Sequence, residues 1–112
     1  MLIDGYDYKF AYTVGASCDI DDFKFGTPKT VGEQRKMLAH MAVIMAKAYE
    51  DKQELEHPGY ERHDLTLKQV RAMSIPDFDE MLAPEIDNAV KVGKVRTVEA
   101  EVPKNAKGAA QS

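Results

Sequence analysis

Between Thr30 and Leu55 the chain reads as one long amphipathic helix, and the remaining segments must fold around it. Thr30 and Glu33 have the spacing of a capping box, in which each side chain satisfies the other's free backbone N–H. Met37, Leu38, Met41, Ile44, Met45, Ala48 and Tyr49 follow at three- and four-residue intervals, which gathers them on one face. Arg35, Lys36, Lys47, Glu50 and Asp51 fall on the other side and read as a solvated face. Such a helix buries its stripe only where other elements cover it.

The covering elements are legible on both sides. Met1, Leu2 and Ile3, the turn pair Asp4-Gly5 and the run Tyr6 to Thr13 predict a small β-hairpin. Tyr6, Tyr8, Phe10 and Tyr12 alternate with Asp7, Lys9 and Ala11, so the aromatic face should dock on helices. Thr13 precedes a short helix over Val14 to Phe23, and Lys24 to Lys29 is a loop. Glu56 to Asp64, with Pro58 and Gly59, connects the long helix to a second pair. Thr66 with Gln69 caps a helix over Leu67 to Met73. Ser74 opens the last one, about Pro76 to Val92, along the apolar line Phe78, Leu82, Ile86, Ala89 and Val90. Pro84 removes a backbone donor inside that line, so one bent element is expected. Gly93 should stop it. Lys94 to Val102 then alternates as an extended segment, and Pro103 to Ser112 lacks large apolar residues.

The fold class expected from this order is α+β: an N-terminal β-hairpin on three to four helices, a C-terminal strand and a mobile tail. A single domain spans 1–102 and the tail 103–112, which suits a chain of 112 residues. The formal charge of −4 and the dispersal of Lys and Arg argue against nucleic acid as a partner. One cysteine excludes an internal disulfide and suits a reducing cytosol. No basic start precedes an apolar run, and Met41 to Ala46 is far too short to cross a bilayer, so neither secretion nor a membrane is expected.

Reactive chemistry is sparse. Cys18 and His40 are the only route to a Cys–His nucleophilic pair, which needs mutual contact and an orienting group that no sequence pattern supplies here. His57, His63 and Asp64, with Glu54 and Glu56 nearby, offer zinc-type ligands but match no closed zinc spacing. Asp19, Asp21 and Asp22 lack the glycine and distal glutamate of a calcium loop. Asp77, Asp79 and Glu80 suit a helix N-terminus, and Ser74 suits its cap. No catalytic residue, metal or cofactor is assigned, and the chain is read as a non-enzyme.

Two features point instead to partners. The stripe Met37, Met41, Met45 and Tyr49 reads as core packing or as an adaptable binding face, because methionine is flexible and polarizable. Val98, Ala100 and Val102 share one side of the C-terminal segment, which reads as a closing strand or as an edge open to β-augmentation.

The order of these pieces resembles the tail assembly chaperone family of long-tailed bacteriophages, as found in phages of Gram-positive bacteria. The resemblance rests on Ile3-Asp4-Gly5 with Tyr8 and Phe10, on the central helix ending near Ala48-Tyr49, and on Leu65-Thr66. It continues through the Phe78 to Val90 helix, Gly93-Lys94 and Thr97-Val98-Glu99, and so covers about residues 1–102. It implies a non-enzymatic protein of the infected host cytoplasm that is absent from the mature virion. Such proteins hold the tape measure protein and help recruit tail tube subunits around it, and many also occur as a longer frameshifted form. On that reading Met37, Met41, Met45 and Tyr49 contribute to the partner-binding face, and Val98, Ala100 and Val102 to self-association. Pro84 departs from the smooth helix the family leads one to expect. A competing class is a small acidic phage or mobile-element protein that binds and inhibits a host protein.

Overall fold

The computed structural model describes residues 1–95. It is mostly helical, with one small antiparallel sheet at the N-terminal end, compatible with a small α+β fold. Strands β1 (Leu2–Ile3) and β2 (Tyr6–Asp7) pair in the register Leu2 with Asp7 and Ile3 with Tyr6. Asp4 and Gly5 both take positive φ, 51° and 84°, which two-residue hairpin turns of this hand require. The second strand is much shorter than the run to Thr13 expected of it. Its partner offers only the residues before Asp4, and the last rung is the Tyr8 N–H on the Met1 carbonyl at 2.8 Å. Beyond it the chain is strapped to a helix instead, where Ala11 N–H donates to the Met45 carbonyl at 3.0 Å. The aromatic alternation survives without a ladder: Tyr8 is buried, and Tyr6, Phe10 and Tyr12 pack against the core. The C-terminal strand with Val98, Ala100 and Val102, and the tail from Pro103, lie outside the described residues.

The helices are α1 (Val14–Phe23), α2 (Val31–Glu56), α3 (Leu67–Arg71), α4 (Ile75–Asp77) and α5 (Ala83–Gly93), with a π-helical turn over Phe78–Leu82 joining the last two. Hydroxyl caps set the starts. Thr13 accepts from Ala16 N–H, Thr30 from Glu33 N–H, Thr66 from Gln69 N–H and Ser74 from Asp77 N–H. The Thr66–Gln69 box is reciprocal. The expected Thr30–Glu33 box is only half formed, because the Glu33 carboxylate reaches one residue further back and takes Lys29 N–H at 2.7 Å.

Helix α2 has 26 residues and so runs about 39 Å. Ala39, Ala42, Met45, Ala46 and Ala48 are its buried apolar residues, and the alanines let neighbouring elements approach closely. Phe78, Leu82 and Ile86 bury the last helical segment, with Ala89 and Val90 half-buried beside the core. Their four-residue spacing drifts forward by ~40° per step on an α-helix. The wider π turn, closed by Ala83 N–H on the Phe78 carbonyl, pulls that line back onto the core. It also restarts the α register so that Pro84 falls in the first turn of α5, where its missing N–H is tolerated. The bend expected at Pro84 therefore takes the form of a π turn just before it.

Gly93 does not stop α5 but is its last residue. A Cβ there would lie 2.5 Å from the Tyr12 carbonyl oxygen and 2.6 Å from Tyr12 Cβ, so the glycine permits close contact between helix and N-terminal segment. Gly93→Ala should destabilise the fold by about 1–3 kcal/mol through overpacking. Gly15→Ala, at an open position in α1, should instead stabilise by up to about 1 kcal/mol through helix propensity. Chemical denaturation of the two variants checks the opposite signs.

Candidate functional site

The first half of α2 is flanked by two open recesses. One, of about 480 Å³, lies between α2, α3 and α4. Ala39, Val70 and Phe78 form its buried floor, Leu67 and Met73 are half-buried along it, and Ile75 is 58% exposed at its edge. Arg35, Lys36, His40 and Arg71 complete the lining, and no carboxylate is among the residues that line it. Arg35 holds the end of the groove through a bidentate pair with Asp79, at 3.0 and 2.7 Å. Lys36 and Arg71 make no ion pair among the described residues. The second recess, of about 500 Å³, is lined by Phe23, Phe25, Pro28, Met37 and neighbours, and shares Lys36 and His40 with the first. The Phe23 and Phe25 rings stack at 5.3 Å, and His40 sits 4.7 Å from Phe23.

The methionine stripe does not form one exposed face. Met37 lines the second recess, Met41 is half-buried against the core, Met45 is fully enclosed, and Tyr49 is half-buried. Four-residue steps rotate forward around an α-helix, so the row starts at a rim, enters the core at Met45 and leaves it again at Tyr49. Met45 is thus a core residue rather than part of a binding face. Val98, Ala100 and Val102 lie outside the described residues.

The reactive candidates are dispersed. Cys18 is exposed on α1, whereas His40 belongs to the aromatic cluster on α2. No group of three or more His, Cys, Asp or Glu that could hold a metal occurs among the described residues. Around the loop after α2, Glu54 and Asp64, two of the carboxylates that suggested a metal, are taken by Arg62, which also holds Asp51. Its guanidinium reaches Asp51 at 2.8 Å, Glu54 at 2.6 Å and Asp64 at 2.7 Å. His63 stacks on Tyr6 at 4.0 Å instead of facing a cation site.

Glu50 corrects the reading of a wholly solvated polar face, since it is only 2% exposed. Its Oε1 accepts His63 N–H at 2.7 Å and its Oε2 accepts the Tyr60 hydroxyl at 3.1 Å. The Tyr6 hydroxyl lies 3.1 Å from that of Tyr60. The contact with Tyr6, then burial, then Glu50 push the Tyr60 hydroxyl above its ordinary pKa. Neither Glu50 nor Arg62 stands out in the sequence, where only their charge is visible. The cationic groove was missed as well; Leu67, Val70 and Met73 beside Arg71 were the available signal.

No family model, characterised protein or solved structure matches this chain. No helix among the described residues is long and apolar enough to cross a membrane.

Three surface carboxyls sit below their ordinary pKa of 3.8. Asp7 is brought to about 2, by the Met1 amino group and then Lys9. Asp51 is lowered by Lys47 and then Arg62, and Asp79 by Arg35. A depressed folded value means that the stabilisation is complete above the unfolded pKa and is lost as pH falls through the folded one. The stability gap between the wild type and an Asp51→Asn, Asp79→Asn variant should stay constant above about pH 5 and close towards about pH 2. Exposure keeps the gap small, and denaturant midpoints across that range measure it.

Proposed function

We propose that this chain is a non-enzymatic tail assembly chaperone of a long-tailed phage. It holds the tape measure protein in the infected cell's cytoplasm and helps tail tube subunits gather on it. Two features support the reading: the resemblance in element order, and the paired recesses astride the first half of α2. The recesses are the observation that carries it, because they leave apolar surface open where a partner can cover it. Ile75 of α4 is 58% exposed at the first recess, Phe23 of α1 is 49% exposed at the second, and Met37 of α2 lines the second beside it. A holding protein needs such an adaptable face with moderate affinity, since the final assembly must displace it.

Co-expression with the tape measure protein of the same locus tests this. The wild-type chain should keep that protein in the supernatant and co-purify with it. Met37→Glu and Ile75→Asp should each lower the recovered complex by about tenfold, equivalent to about 1.4 kcal/mol, with circular dichroism unchanged. A tape measure protein that neither co-purifies with the wild type nor gains solubility from it would refute the assignment.

A further inference from the structure

We infer that the groove between α2, α3 and α4 is a docking site for an acidic amphipathic helix, whose apolar side seats on Leu67, Met73 and Ile75 while its carboxylates meet Lys36 and Arg71. The inference rests on reading this side of the protein as a partner-binding surface, and it specifies what chemistry that surface accepts.

Charge distribution is the first argument. The chain has 19 acidic residues against 15 Lys and Arg, yet this groove is lined by Arg35, Lys36, Arg71 and His40 without a carboxylate. Arg35 is occupied by Asp79. Lys36 and Arg71 are exposed, stand on different helices, and have no ion-pair partner among the described residues. Two unpaired cations at an apolar groove of a net-negative protein favour a ligand with negative charge beside an apolar stripe, and they disfavour a basic one.

Geometry selects the helix. The walls are helical, and the only described strands, β1 and β2, do not line the groove, so strand addition has no edge to use there. A helix presents anchors at three- and four-residue intervals to a groove between helices, as in other helix-in-groove pairs. The floor of Ala39, Val70 and Phe78 is apolar and closed, which suits aliphatic anchors better than a phosphate chain.

The test uses the whole chain and two synthetic helical peptides of about 20 residues. Both carry the same leucine stripe; one is flanked by Glu and the other by Lys. The Glu peptide should bind at least about tenfold tighter than the Lys peptide, and raising NaCl from about 0.05 M to about 0.3 M should weaken it. Lys36→Glu with Arg71→Glu, both at exposed positions, should invert the preference with circular dichroism unchanged. Ile75→Asp should weaken binding of both peptides to their preferred chain. Equal binding of the two peptides, or a preference unchanged by the double reversal, would overturn the proposal. So would a single-stranded oligonucleotide that displaces the Glu peptide, or a concentration-dependent dimer that Ile75→Asp abolishes. A preference that inverts as expected while the tape measure protein fails to co-purify would sink the chaperone reading and leave this one standing. Capture of the tape measure protein that the double reversal does not affect would do the opposite.

Discussion

A carboxylate at 2% exposure must find its hydrogen bonds inside the protein, and Glu50 finds them on the loop that leaves its own helix. Leaving such a group unpaired costs several times what a surface hydrogen bond contributes. The two bonds therefore dictate where residues 57–66 can run. Tyr60 and His63 are drawn back over α2, and through them Tyr6 is drawn in by its hydroxyl and by ring stacking. The hairpin, the long helix and the loop that leads to α3 are thereby tied at one point. Arg62 closes the same loop from outside with Asp51, Glu54 and Asp64, where solvent screens each pair. The buried tie fixes the path, and the outer one shields it.

The last helical segment solves a different problem. Phe78, Leu82 and Ile86 must all face the core, but a pure α-helix would carry them progressively off it. A proline two residues past the line's midpoint would add a lost hydrogen bond. One π turn answers both, since it rewinds the apolar row and delivers Pro84 to a first-turn position. Arg35 then fastens this segment to α2 through Asp79, which sits within the π turn itself.

What could be read from the sequence was whatever is decided locally. Thr13, Thr30, Thr66 and Ser74 each mark a helix start through a side chain bonded three residues on, and the bounds of α1 and α2 follow from them. The Asp4-Gly5 turn and the Phe78, Leu82, Ile86 line were legible for the same reason. Features that depend on a distant partner were not. Glu50 has the spacing of a solvated position, and only a tyrosine and a backbone N–H from the following loop make its burial tolerable. Gly93 looks like a helix stop, whereas its need is set by Tyr12 at the other end of the sequence. The methionine row was visible, but which of its members is buried, Met45 alone, depends on which neighbours cover α2. The cationic groove is assembled from α2, α3 and α4, and no one stretch of sequence contains it.

These ties are unevenly spread along α2, and that unevenness bears on function. Its second half carries Met45, bonded by Ala11, then Glu50 with Tyr60 and His63, then Asp51 and Glu54 with Arg62. Its first half is held by buried Ala39 and Ala42 and by Arg35 on Asp79, and it borders the two larger recesses, whereas a recess of about 300 Å³ lies along the second half. Interaction surfaces are drawn from the less tied parts of a fold, because a covering partner must find side chains free to repack. Ile75 on α4, exposed, and Met37 on α2, half-buried, border these recesses, where their side chains offer adaptable contact on helical backbone. The buried carboxylate at one end of α2 thus does more than close the loop. It fixes one end of α2 against the hairpin and the loop, while Ala39 and Ala42 seat the other half in the core between the two recesses.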